Sequence, residues 1–183
     1  MPLSPSVEEE KRWLALARAS IGSHWQKTEL PHLELGQQVA DVFVSLHIDG
    51  QLRGCIGATD NDQSLQESIG HLARRCAFAD PRFPPLTETE LAWTQISISV
   101  LGPKRRLPVH DQQELIAAIS PGDGLLLKQG GRQALFLPQV WEGVHGPGEF
   151  VAALLHKGGW STWPEEMRAW KFDCLVLQEG LEH

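Results

Sequence analysis

The segment Leu52-Arg53-Gly54-Cys55-Ile56-Gly57 puts a thiol, a guanidinium and two glycines within a few residues of one another. The thiolate is the nucleophilic and metal-binding form of cysteine, and a neighbouring positive charge stabilises it. Glycine inside a strand leaves backbone open to the approach of a ligand or another chain. Cys55 is therefore a candidate nucleophile or thiolate ligand, with Arg53 as its activator and as an anion anchor. The same residues also suit a buried free cysteine, glycines for twist and an exposed arginine.

A second candidate is Asp80-Pro81-Arg82-Phe83-Pro84-Pro85-Leu86. Its prolines hold the backbone stiff, so Arg82 can be presented to a ligand at low entropic cost. The structural alternative is a strap in which Phe83 and Leu86 plug the core and Asp80 pairs with Arg82. A third is Leu135-Phe136-Leu137-Pro138-Gln139-Val140-Trp141, where Gln139 could read an amide or a base edge and Trp141 could stack on a planar ligand. Strand exit plus a core tryptophan accounts for it better. Lys104-Arg105-Arg106 reads as a solvated loop, and Arg74-Arg75 as charge at a helix C-terminus.

These groups need elements to position them. Val42, Val44, Leu46 and Ile48 alternate with Phe43, Ser45 and His47, which predicts a strand. Asp49-Gly50 supplies a tight turn, and Gln51 to Ile56 returns as the partner. A two-residue loop pairs Ile48 with Gln51 and Val44 with Cys55. In that register Arg53 and Cys55 share a face and His47 lies on the other, so a Cys-His pair requires a bulge or a twist. Helices are predicted from Ser6 to Ile21, from the Ser64 cap to before Asp80-Pro81, and from the Asp111 cap through Ile119. A fourth runs from Glu149 to His156, closed by Gly158-Gly159, and Thr87 with Glu90 caps a short turn. Gly22 to Gly36 reads as loop, and Ile96, Ile98 and Val100 as a strand. Leu125 to Lys128 pairs with Gln133 to Leu137 around Gly130-Gly131. Trp170, Phe172, Cys174 and Val176 alternate as one closing strand. Hairpins mixed with helices, without regular βαβ alternation, give an α+β class with a mostly antiparallel sheet and packed helices.

The chain has 183 residues and a net charge of -7, which argues against broad nucleic-acid binding while leaving room for a local basic cleft. A chain of this length buries about 70% of its unfolded surface and folds without disulfide or metal. Cys55, Cys76 and Cys174 form no CxxC pair, and the histidines form no HExxH. No metal site and no cofactor fingerprint is predicted. No apolar run of membrane-spanning length and no signal segment occurs, so the expectation is a soluble, cytoplasmic protein without membrane partners. Leu181-Glu182-His183 resembles the start of an expression tag.

The hairpin with LRGCIG, the AFADPRFPPLTETEL segment, the ISVL strand and the GRQALFLPQVWE block occur here in that order, from about Val7 to Val176. In these motifs the chain resembles the AmmeMemoRadiSam system protein A family, bacterial and archaeal relatives of the animal AMMECR protein. The resemblance implies one domain over 1–183, with a larger and a smaller lobe and a cleft between them where the LRGCIG residues gather. By motif match it implies Arg53, Gly54, Cys55 and Gly57 as site residues from the first motif. Asp80, Arg82 and Pro84 follow from the second, and Gln139 from the third. Ser97 stands where many relatives carry an acidic residue. The family name further implies a Memo-like protein and a radical SAM enzyme as partners.

Three functions stay open on this basis. The first is an enzyme or enzyme-like component in a small-molecule or nucleic-acid modification pathway, with Cys55 reactive and Arg53, Arg82 and Gln139 in attendance. The second is a non-catalytic adaptor that holds a substrate, RNA or partner enzyme. The third is RNA or nucleotide binding by arginines and a stacking tryptophan.

Overall fold

The computed structural model describes residues 3–34 and 37–180; the tag-like Leu181 to His183 lie outside them, as do two residues of the predicted loop. Two compact units are formed, one from Met1–Val100 with Leu175–His183 and one from Leu101–Cys174. Each has its own antiparallel sheet, so the class is α+β.

The first unit begins with helix α1, Val7–Gly22, opened by a complete capping box between Ser6 and Glu9. Its buried face is Trp13, Leu16, Ala17, Ser20 and Ile21. Strands β1, Val42–Ile48, and β2, Gln51–Ala58, follow. Asp49 and Gly50 join them with positive φ of 51° and 75°, as the primed hairpin turn requires. Helix α2, Leu65–Phe78, is capped by Ser64 and Glu67. The short α3, Glu88–Leu91, is capped by Thr87 and Glu90. Strand β3, Thr94–Leu101, and strand β8, Cys174–Gln178, complete a sheet ordered β2-β1-β3-β8. Val42, Val44, Leu46, Ile96 and Ile98 point from this sheet into a core shared with α1 and α2.

The second unit holds strand β4, Arg105–Leu107; helix α4, Gln112–Ala118; and strands β5, Gly124–Gln129, and β6, Arg132–Phe136. A 3-10 turn over Pro138–Gly143, helix α5 over Pro147–Gly158 and strand β7 over Arg168–Phe172 finish it. Its sheet runs β4-β7-β5-β6, with α4 and α5 covering the face that carries Leu107, Leu125, Leu127, Ala134 and Ala169.

Three expectations need correction. Arg105 and Arg106 are not loop: with Leu107 they pair antiparallel with β7, an edge too short for periodicity to reveal. The single closing strand is two strands in different sheets, parted at the exposed Asp173, and Val176 is exposed rather than part of the alternating core. The hairpin register also differs. Leu46 faces Gly54 and His47 faces Leu52, so Arg53 is the extra residue of a bulge. Cys55 therefore opposes Ser45 rather than Val44, and lies with Phe43, Ser45 and His47 on the face away from the core.

The bulge agrees with how α2 packs. A Cβ at Gly54 would stand 2.6 Å from the Cys76 carbonyl oxygen and 3.0 Å from its sulfur. The close backbone approach at this glycine is thus made by the chain's own helix. At Gly57 a Cβ would collide with the Phe43 ring instead, a side chain that can turn away. Gly54→Ala is expected to cost about 1–3 kcal/mol by overpacking a backbone that cannot move alone. Gly57→Ala should cost less. Urea unfolding of both variants checks the order; an equal or smaller loss for Gly54→Ala would contradict this packing.

Candidate functional site

Strand β2 is at the edge of its sheet, so its outward N–H and C=O groups find no strand partner. At Cys55 side chains supply them. The Cys55 N–H donates to Asp80 Oδ2 at 3.0 Å, and its carbonyl accepts from Arg82 Nη2 at 3.2 Å. Because those two groups point outward, Cys55 and Ser45 form the close, non-hydrogen-bonded kind of antiparallel pair. The Ser45 hydroxyl accordingly donates to Cys55 Sγ at 3.3 Å. Ser45 also faces Ser97 on β3, so Cys55, Ser45 and Ser97 form one row across three strands. The rows on either side are Gly57-Phe43-Ser99 and Leu52-His47-Gln95.

The clamp comes from the strap after α2. Asp80 Oδ1 accepts from the Arg82 N–H and Nε, each at 3.1 Å, and Oδ2 accepts from Nη2 at 2.8 Å. The Asp80 side chain is 2% exposed and the Arg82 side chain 56% exposed, so the buried charge is neutralised by one that reaches solvent. Leu86 anchors the far end, buried in the core with its N–H on the Ala77 carbonyl at 2.8 Å. Phe83 does not enter the core. It stays half-buried with the guanidinium carbons of Arg82 and Arg53 at 5.5 and 5.8 Å from its ring centre.

Arg53 pairs with a carboxylate from another element. Its Nε and Nη2 meet the Glu90 carboxylate at 3.0 and 3.2 Å, a two-point fork, and Glu90 also closes the Thr87 cap of α3. Among the described residues, Arg53 Nη1 and His47 Nδ1 are buried polar atoms without a hydrogen-bond partner, both on this hairpin.

The electrostatics follow from these contacts. The Arg82 guanidinium, with the Cys55 and Arg82 N–H groups, holds the Asp80 carboxyl well below the usual carboxylate range against the opposing effect of burial. The Arg53 fork, with the Thr87 N–H, lowers Glu90 to about 2. Burial pushes the Cys76 thiol up to about 12, with the nearby Cys55 charge adding to it. Cys174 rises to about 12 for the same first reason, with Asp173 contributing.

Arg53, Cys55, Asp80 and Arg82 thus come together around one edge-strand peptide. Pro84 is exposed on the strap. Gln139 is exposed on the 3-10 turn of the second unit. Trp141 is half-buried against the core there: its indole donates to the Asp123 carbonyl at 2.8 Å, and its ring stacks on Phe150 at 4.3 Å. Sequence reading missed Ser45 and Glu90. The hairpin alternation places Ser45 on the right face once the bulge is admitted, whereas the Arg53–Glu90 pairing leaves no local trace. Among the described residues no three His, Cys, Asp or Glu side chains gather as metal ligands would. Among the described residues no helix is long and apolar enough to cross a membrane.

Comparison with known proteins gives a consistent result. The AMMECR1 family model matches residues 14–177. A protein of Methanothermobacter thermautotrophicus is 30% identical over 194 aligned positions, covering 98% of this chain and 99% of that protein. Protein MJ0810 of Methanocaldococcus jannaschii is 32% identical, covering 95% of this chain and 92% of its own. Among solved structures, the uncharacterized protein PH0010 from Pyrococcus horikoshii matches with a TM-score of 0.84 at 28% identity, covering 94% of this chain and 92% of that one.

The two depressed carboxyls fix how the fold responds to acid. Each folded pKa lies below its unfolded value, so each contributes stability above about pH 4 to 5 and loses it as pH falls toward and below 2. The melting temperature should therefore drop steeply between about pH 5 and 2. An Asp80→Asn, Glu90→Gln double variant should start lower at neutral pH and fall less. Parallel curves for the two proteins would show that the clamp and the fork do not carry this dependence.

Proposed function

The chain belongs to the AMMECR1 family, and from that footing we propose that Cys55 is the reactive thiol of a ligand site on the outer face of the first sheet. In this reading the protein is an enzyme or enzyme-like component of a modification pathway in the cytoplasm. Its partners are a Memo-like protein and a radical SAM enzyme. The thiol gives its proton to solvent and the sulfur adds to an unsaturated electrophilic centre of a small molecule or nucleic-acid group, whose π pair moves to the neighbouring atom and is protonated there, while Arg82 holds an anionic part of the same ligand. Arg53 steadies the strand through Glu90 and turns its remaining Nη1 donor toward a polar ligand atom. Gly54 and Gly57 keep the strand close-packed around the thiol.

The observation that carries the reading is the division of labour at Cys55. Its N–H and C=O are tied down by Asp80 and Arg82, while its sulfur lies away from the core beside the Ser45 hydroxyl. A thiol needed only for packing would point the other way, as Cys76 does with its sulfur on the Val44 carbonyl at 3.3 Å.

A binding or adaptor function is the second reading, favoured by one observation. Both arginines near the thiol already face carboxylates, Arg53 with Glu90 and Arg82 with Asp80, which spends the charge that would activate sulfur.

Iodoacetamide labelling resolved by peptide mass spectrometry separates the two. The first reading predicts that at about pH 8 Cys55 labels at least ten times faster than Cys76 or Cys174, whose thiols stay protonated there. Ser45→Ala and Arg82→Ala should each change the Cys55 rate several-fold while the other two cysteines stay unlabelled. Equal, slow labelling of all three would exclude a reactive Cys55 and leave the adaptor reading.

A further inference from the structure

The second unit has a charge pattern that the Cys55 site does not use. Leu101–Cys174 carries eight Lys or Arg and eight Asp or Glu, so the net charge of -7 belongs to the other unit. Within this neutral unit the charges are sorted. Strands β4 to β7 bear Arg105, Arg106, Lys128, Arg132, Arg168 and Lys171 and no acidic residue, the carboxylates standing on helices, turns and connections.

The register divides the cations between faces. Arg105 and Lys171 pair across β4 and β7 on the side of Leu107, Leu125 and Ala169, which the helices cover. Each has an acid within reach, Asp173 at 3.7 Å and Asp123 at 3.6 Å. On the opposite face Arg106 lies directly across from Trp170, and Lys128 across from Arg168. The charged groups of Arg106, Lys128 and Arg168 stand 5.0, 5.7 and 5.9 Å from the Trp170 ring centre. Arg106 and Arg168 are exposed, Trp170 is half-buried, and among the described residues neither arginine pairs with a carboxylate.

We propose that this face of the second sheet binds single-stranded nucleic acid, with a base stacked on the Trp170–Arg106 platform and neighbouring phosphates on Arg106, Arg168 and Lys128. Charge complementarity supplies the attraction, and the planar platform supplies the preference for bases. An indole with a guanidinium over it stacks any unpaired base, whereas a duplex hides its base faces and an acidic peptide has no plane to offer. Arg106 also lines a hollow of about 350 Å³ together with Trp163, but Glu165 and Glu166 share that wall and repel phosphate. The strand therefore keeps to the Arg106, Trp170, Arg168 and Lys128 end of this face rather than entering the hollow, since Leu126 and Phe172 on the same face are buried. The assignment is independent of any chemistry at Cys55.

Fluorescence anisotropy of a labelled oligoadenylate of roughly 12 nucleotides, titrated with the full chain at about 50 mM salt, tests it. The wild type should bind, and an Arg106→Gln, Arg168→Gln double variant should bind at least ten times more weakly with an unchanged melting temperature. Its log–log salt slope should be shallower by about 1.4, since each lost single-strand phosphate contact removes roughly 0.7. Trp170→Phe should weaken binding several-fold without altering the slope. Absence of wild-type binding, undiminished binding by the double arginine variant, or equal binding of inorganic polyphosphate would each overturn the proposal.

Discussion

An edge strand has backbone groups that no neighbouring strand can satisfy, and the one carrying Cys55 is held by a carboxylate and a guanidinium in place of a strand. Much of the first unit's surface architecture depends on that substitution. Asp80 can be buried as an ion because Arg82 and two N–H groups surround it. Arg82 can hold its place because the prolines stiffen the strap and Leu86 pins its end in the core. Removing either partner would leave a buried charge or a bare strand edge, so the two act as one unit.

The clamp has a chemical consequence because it engages the peptide of Cys55 and leaves the side chain alone. The bulge at Arg53 then decides which way that side chain faces. Without it, Cys55 would lie opposite Val44 and point into the core; with it, the thiol stands in a row with Ser45 and Ser97 on the outer face. Gly54 is the compensating device. It lets the end of α2 approach the strand just before the thiol, at a distance no Cβ would permit. The position of Ser97 gives meaning to its departure from the acidic residue that the family resemblance implies. A carboxylate there would share a row with the thiol, whereas serine offers only a hydroxyl.

Much of this was legible in the residues. Capping boxes at Ser6, Ser64 and Thr87, the Asp49-Gly50 turn and the alternation of β1 and β3 follow from short-range physics and appear where periodicity places them. The Asp80–Arg82 pair was legible as a structural strap because the two residues stand two apart in a stiff segment. What escaped was non-local. The bulge goes with helix packing against Gly54, the Arg53–Glu90 fork joins residues from separate elements, and the three-residue β4 has no period to detect. The break at Asp173 escaped because alternation continues through it while the chain changes sheets.

The Asp80–Arg82 pair does the work of a missing strand at Cys55. Amide hydrogen exchange at that residue addresses it directly. The Cys55 N–H should exchange at a rate typical of interior ladder amides, and Asp80→Ala should speed it by orders of magnitude while amides of β1 and β3 keep their protection. A Cys55 amide that exchanges freely in the wild type, or one indifferent to the loss of Asp80, would contradict the account.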